Sequence, residues 1–327
     1  MNYDFAPDVE RARQLDRSMH VRLGESLRHL SEQCRGVVEH DETKVGALAE
    51  ALCRGERQTP AVFAHYYRLL EAILNEAFDD AERQFSALAG SEPLRGTAPR
   101  IAPLTPDALG SNYRLYCDMM NSDPTLEVGF ASPSEAEFAA FKQRLESGLR
   151  LLRAAAPRLF GEIEAILDDI VVVAGDESKN LQFDGGSHFQ LWGALFLNCG
   201  SHHDDVGIVE VLAHESAHSL LFGLCTDEFL VENDDRDLYS SPLRPDPRPM
   251  DGIYHATFVS ARMHWAVGHL LASGALDAAS RERALTANAL NMANFNAGLA
   301  VVEEHGRLTD LGRRLMQGAS DYMAGSG

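Results

Sequence analysis

From Val9 to about Leu30 the apolar residues Leu15, Met19, Leu23, Leu27 and Leu30 recur every three or four positions, the period of an amphipathic helix. Thr59-Pro60, a cap residue followed by proline at the first helical position, leads into Phe63, Tyr66, Leu70, Ile73, Ala77, Ala81, Phe85 and Leu88 before Gly90. That run predicts one helix of about eight turns. Pro93, Pro99, Pro103 and Pro106 then mark an extended connection over 90–111 and a soft boundary between a helical region 1–110 and a region 111–327, within what can also be a single domain. Ser132-Pro133 opens a further helix through Phe138, Phe141, Leu145, Leu149 and Leu152, which Pro157 stops. Beyond it the period changes. Ile170–Val173 and Leu191–Leu197 are short apolar runs bounded by Gly, Asp and Asn, and predict buried strands. From Asp251 to about Glu304 the chain reads as helix again, with a last capped turn at Thr309 leading to Met316. The expected class is α+β, predominantly helical, with a small sheet beside a helix that carries the candidate chemistry described below.

The 327 residues carry 29 basic and 49 acidic side chains, a formal charge of −20. Such an excess repels a phosphate backbone, and no Lys/Arg run offsets it locally, so nucleic acid is not an expected partner. Five scattered cysteines without a CxxC argue against a disulfide framework or zinc ribbon and suit a reducing compartment. The first residues are charged where a signal peptide needs an apolar core, and no apolar stretch approaches about 18 residues. A soluble cytoplasmic protein with no membrane partner is expected.

Against this background one motif stands out. His214-Glu215-Ser216-Ala217-His218 is an HExxH sequence inside a helical pattern of Val209, Leu212, Ala213, Ser216 and Leu220 that closes near Gly223, with Asp204 or Asp205 as its cap. Histidines at i and i+4 leave one helix face together, so two imidazoles can reach one divalent metal with Glu215 placed to hold or deprotonate a bound water. The ordinary alternative is two histidines on a partly buried helix bonded to backbone or carboxylates.

A third ligand has two candidates. Glu232 would complete a His/His/Glu site of the zinc-peptidase kind, with Glu215 as general base, although its acidic surroundings also suit a solvated loop. His255 begins a helix whose one face carries His255, Arg262 and His269 at heptad spacing, and a core histidine bonded to a carbonyl is the plain alternative there. His264 and His269 read as such core histidines, and His202 and His203 as exposed loop residues. Between the two helices lies Ser240-Ser241-Pro242-Leu243-Arg244-Pro245-Asp246-Pro247-Arg248-Pro249. Alternate prolines stiffen the backbone and would hold Arg244 and Arg248 ready for a carboxylate, unless those arginines simply pair with Asp246 or Asp251.

The combination of His214-Glu215-xx-His218, SPLRPDPRP at 241–249 and Gly252-Ile253-Tyr254-His255-Ala256 resembles the alpha-ketoglutarate-dependent HExxH-type peptide beta-hydroxylases, a family first recognised as HExxH proteins encoded beside ribosomally made peptide precursors of natural products. The resemblance spans roughly residues 185–270, with a weaker echo at Gly306-Arg307-Leu308-Thr309, and touches the N-terminal third only in its helicity. It implies a non-haem Fe(II) oxygenase using alpha-ketoglutarate and O₂. His214, His218 and His255 would be the metal ligands. Arg248, then Arg244, with Ser241 beside them and Arg262 as a helix-borne alternative, would anchor the co-substrate. A three-histidine set departs from the carboxylate-containing triads of most such oxygenases, and Glu215 would then orient the site without binding iron. The implied substrate is an amino-acid residue in a peptide, with a free or carrier-bound amino acid also open, because nothing in residues 1–130 announces a leader-binding domain. His188, Gln190 and Trp192 are candidates to face substrate, with Trp192 equally suited to a core.

Overall fold

The computed structural model describes residues 3–94, 96, 98–121, 129–175, 184–244 and 246–325. The described chain is mostly helical with a small sheet, as the α+β expectation has it. Twelve helices are assigned among these residues: α1 (Val9–Gln33), α2 (Glu42–Cys53), α3 (Pro60–Leu74), α4 (Phe78–Ala89), α5 (Pro106–Leu109), α6 (Asn112–Met120), α7 (Glu135–Ala155), α8 (Pro157–Ile166), α9 (Asp205–Leu224), α10 (Met250–Ser273), α11 (Ala278–His305) and α12 (Asp310–Ala324). The strands are β1 (Arg100–Pro103), β2 (Phe130–Ala131), β3 (Asp169–Gly175), β4 (Gly185–Ser187), β5 (Ala194–Asn198), β6 (Leu238–Tyr239) and β7 (Arg248–Pro249). No described helix is long and apolar enough to cross a membrane.

The chain divides into two compact units, each built from separated segments. One comprises Met1–Arg11, Ala139–Ile163 and His202–Gly327; the other comprises Ala12–Phe138 and Glu164–Ser201. The proline-rich stretch around residue 110 lies inside the second of these.

In that second unit β1, β3 and β5 run parallel, with Val171 opposite both Ala102 and Phe196, while β4 lies antiparallel on β5 and β2 on β3. Ile170–Val173 and Ala194–Leu197 are buried on both faces, which is why their sequences are continuous apolar runs and not alternating ones. Val171, Val173, Ala194 and Phe196 pack with Ala61 and Ala64 of α3 and with Tyr116 and Met119 of α6. Two expectations fail here. Leu191–Gly193 is not strand: Phe189–Leu191 is a 3-10 turn, and Gly193, at φ +89°, turns the chain into β5. The eight-turn helix after Pro60 is two helices, because Asn75 ends α3 and Glu76 takes φ +54° before α4 starts with Asp79 and Asp80 in its first turn. The apolar period runs through this break because both helices bury the same kind of stripe.

The first unit is a helical assembly centred on α9, α10 and α11. Asp204 caps α9 by accepting from Gly207 N at 2.7 Å, and Asp277 caps α11 by accepting from Ser280 N at 2.8 Å. Gly298 lets α10 and α11 meet: a Cβ there would lie 2.1 Å from Thr257 Oγ1 and 3.1 Å from Pro242 Cγ. Thr309 caps α12, which continues to Ala324 and so is longer than the single turn its sequence announces. Its Gly312 sits against the carbonyl of Leu230, where an added Cβ would be 2.0 Å away.

Candidate functional site

Helix α9 is buried along nearly its whole length, and past its first residue only Glu210, His214, His218 and Phe222 are partly open. Those four stand at i, i+4, i+8 and i+12, so they form one stripe down the helix. On α10 every residue from Ile253 to Val267 is buried except His255. Apart from Glu210, the polar openings on these stretches of α9 and α10 are histidines, and they meet. His218 Nε2 lies 3.1 Å from His214 Nε2, and His218 Nδ1 lies 2.9 Å from His255 Nδ1. Phe222 stacks on His218, lies tilted against His255 and gives the cluster an apolar edge.

Burial holds His218 well below the usual histidine range, helped by the neighbouring His214, His255 and Arg244. Burial also lowers His255, against the opposing pull of Asp251. Both imidazoles are thus neutral near pH 7, the form that binds metal. Two nitrogens each about 2.1 Å from one metal at right angles are about 3 Å apart, so the Nε2 atoms of His214 and His218 have the spacing of neighbouring ligands. His255 touches the other ring nitrogen of His218, so the three side chains form a chain of imidazoles and not a closed triad. Among the described residues no group of three or more His, Cys, Asp or Glu side chains is assembled as a metal site. In donor type and in the spacing of one pair the residues fit a divalent ion of the iron or zinc kind, with His255 adjacent as the third imidazole.

The remaining candidates fall in distinct places. Glu215 is buried, with Oε1 3.9 Å from His214 Nε2, the nitrogen that faces His218. Glu210 is held by α11: Arg283 Nη2 donates to one oxygen at 2.8 Å and Asn291 Nδ2 to the other at 3.0 Å. Arg244 is exposed, makes no hydrogen bond or ion pair with any described residue, and lies close enough to His218 for its charge to disfavour protonation there. Arg248, on β7, pairs with Asp246 at 2.7 Å. Ser241 Oγ accepts from Leu243 N within its own turn, and Pro245 lies outside the described residues.

Arg262 is not at the candidate site. Its guanidinium is buried against Glu162, which also pairs with Arg11 at 2.8 Å, and it donates to the carbonyl of Phe5 at 2.9 Å. The heptad of His255, Arg262 and His269 on α10 therefore serves three separate partners, since His269 Nδ1 lies 2.9 Å from the carbonyl of its own helix residue Trp265. His264 pairs with Tyr322 Oη at 2.9 Å. His203 is exposed, whereas His202 is half-buried at φ +56° with its carbonyl accepting from Arg144. Glu232 is exposed, and its backbone bonds to Arg307 in both directions: its N–H donates to the Arg307 carbonyl, and its carbonyl accepts from the guanidinium. The same stretch makes a second contact: Thr309 N donates to Leu230 O at 3.1 Å, which fastens the start of α12 to the segment after α9.

In the other unit Trp192 is a core residue whose indole donates to Asp16 at 2.9 Å. His188 caps the 3-10 turn, accepting from Gln190 N, and burial lowers its basicity. Sequence reading missed the roles of Glu210 and Phe222, although both stand at i±4 from the motif histidines and the spacing alone could have found them. No family model and no curated protein matches the chain.

Proposed function

We propose that the chain is a non-haem Fe(II)- and alpha-ketoglutarate-dependent oxygenase that hydroxylates the β-carbon of an amino-acid residue, most simply within a peptide. The observation that carries this reading is the convergence of His214, His218 and His255 on the accessible edges of two buried helices. A structural histidine bonds its ring to a fixed hydroxyl or carbonyl, as His264 does to Tyr322 and His269 to Trp265, whereas these three rings face one another.

In this reading His214 and His218 would hold the metal through Nε2, and His255, which meets the other ring nitrogen of His218, would join them only after a ring turns. Bound there, ferrous iron supplies the activation of O₂ that lets the keto acid be oxidised to succinate and CO₂ while one oxygen atom enters a substrate C–H bond. Arg244, not Arg248, anchors the distal carboxylate of the keto acid, because Arg248 is already paired with Asp246 while Arg244 is uncommitted and beside His218. Glu215, whose Oε1 lies 3.9 Å from the metal-facing Nε2 of His214, would orient a bound water from that side without binding the metal. Phe222 shields one side of the cluster from water. A zinc peptidase would instead need Glu232 among the histidines, and the exposed Glu232 is tied by its backbone to Arg307.

Anaerobic addition of Fe(II) and alpha-ketoglutarate tests the reading without a substrate. The expected result is a weak visible charge-transfer band that disappears in His218→Ala. Tight zinc binding with peptide hydrolysis and no such band would replace the oxygenase with the peptidase.

A further inference from the structure

The stripe of α10 that carries His255 carries two more side chains. Phe258 and Arg262 stand three and seven residues further on, within about 60° of His255 around the helix axis, and both are buried. Both are gripped by the segment that precedes α1. Arg262 Nη1 donates to the carbonyl of Phe5 at 2.9 Å, and the buried Phe5 ring meets Phe258 edge to face at 5.7 Å and stacks on Tyr322 of α12 at 4.9 Å. Gly318 of α12 leaves room for it, since a Cβ there would lie 3.3 Å from that of Phe5.

The segment is fixed along its backbone as well. Arg11 donates to the carbonyls of Asp4 and Ala6, Asp8 N donates to Glu162 at 3.0 Å, and Glu162 joins Arg11 to Arg262. Three successive carbonyls thus accept from two buried guanidiniums, a set of charge-assisted bonds that an arm lying loosely on the surface would not receive. On α10 itself, Thr257 and Ser260 spend their hydroxyls on carbonyls of their own helix. Tyr254 and His264 reach α12 from other sides of α10, while Arg262 bonds from the stripe of His255. The position of that stripe matters because a side-chain tip about 5–6 Å from the axis moves ~1 Å when the helix turns by about 10°. A shift of that size breaks the 2.9 Å contact between His255 and His218.

We propose that Asp4–Ala6 is a positioning strap for the candidate site: by gripping Phe258 and Arg262 it sets the rotation of α10 that brings His255 to His218, with Phe5 as the positioning residue. Its bearing on metal binding rests on the function proposed above, whereas the placement of His255 does not.

Two readouts on the full-length protein test it, in Phe5→Ala, in the volume-keeping Phe5→Leu, in His255→Ala and in the double variant Phe5→Ala/His255→Ala, at a temperature where thermal melting shows all four folded. The first needs no metal: with ¹⁵N-labelled histidine, the proton between the Nδ1 atoms of His218 and His255 gives an imidazole resonance, assigned by its absence in His255→Ala. The second is anaerobic titration with Fe(II). The expected result is a resonance lost in Phe5→Ala and recovered in Phe5→Leu, with Fe(II) affinity about tenfold weaker in Phe5→Ala but no weaker in the double variant than in His255→Ala. A resonance missing from wild type or unaltered in folded Phe5→Ala, or the same loss of affinity with and without His255, overturns the strap. A resonance that responds as expected in a protein that binds no Fe(II) keeps the strap and removes the oxygenase.

Discussion

The Nδ1 atoms of His218 and His255 lie 2.9 Å apart although 37 residues separate them. Two nitrogens at that distance share one proton, so one ring donates and the other accepts. His218 in turn meets His214 through Nε2, and because a neutral imidazole has one donor and one acceptor nitrogen, the sense of one contact sets the sense of the next. The chain fastens α9 to α10 through groups that a metal would recruit. Metal binding must therefore compete with these contacts, and each partner's removal has a separable effect.

His255→Ala is expected to weaken Fe(II) binding by about 10- to 100-fold, the range typical of losing a supporting group at a metal site, and Glu232→Ala to leave it unchanged. Isothermal titration under anaerobic conditions distinguishes them. The opposite ranking would move the third ligand to Glu232.

Arg244→Ala is expected to raise the KM for alpha-ketoglutarate by about 30-fold, corresponding to ~2 kcal/mol for a charge-assisted hydrogen bond, with little change in melting temperature. Arg248→Ala should affect the co-substrate less, since its guanidinium already serves Asp246. Equal effects from both would mean that the two arginines act as one anchor.

Arg262→Met should act on stability and not on the co-substrate. Glu162 is buried between Arg262 and Arg11, and removing one partner of a buried pair costs roughly 3–5 kcal/mol. Here the second arginine still faces Glu162, so the lower end is expected. Chemical denaturation measures it, and an unchanged midpoint would show the pair to be dispensable.

Gly298→Ala should cost about 1–3 kcal/mol by overpacking, because the new methyl would overlap Thr257 Oγ1. Thr257→Ala in the same chain should restore part of the loss. A failure of the double variant to recover would place the clash on Pro242 instead.

Asp168 provides a pH dependence outside the histidine cluster. Burial raises its carboxyl to about 8, against the lowering influence of Arg57 at 2.6 Å and with the further upward push of Asp16 and Asp169. The folded state therefore binds this proton more tightly than the unfolded chain, where an aspartate titrates near about 3.9. Its contribution to stability is complete below pH of about 4 and is lost as pH rises to about 8. Asp168→Asn should flatten the stability profile across that window. An unaltered profile would mean that Asp168 is ionised throughout, paired with Arg57.

Periodicity along the chain determined α1, the α7 segment, the buried strands β3 and β5, and the α9 helix, whose cap the sequence left between Asp204 and Asp205 and the structure places at Asp204, because each depends on neighbours within a few residues. The HExxH spacing likewise placed His214 and His218 on one face, a property of any helix. The split between α3 and α4 was hidden, since a single left-handed residue at Glu76 interrupts the backbone without interrupting the apolar period. Which arginine stays uncommitted, which histidine of α10 meets His218, and where Glu232 goes were decided only by tertiary structure. His255, Arg262 and His269 share one helix face in sequence, yet they bond to His218, Glu162 and Trp265. Local spacing fixes the direction in which a side chain leaves its helix; the buried surface that arrives opposite it, from residues tens to hundreds of positions away, decides whether that side chain becomes a ligand, a clamp or part of the core.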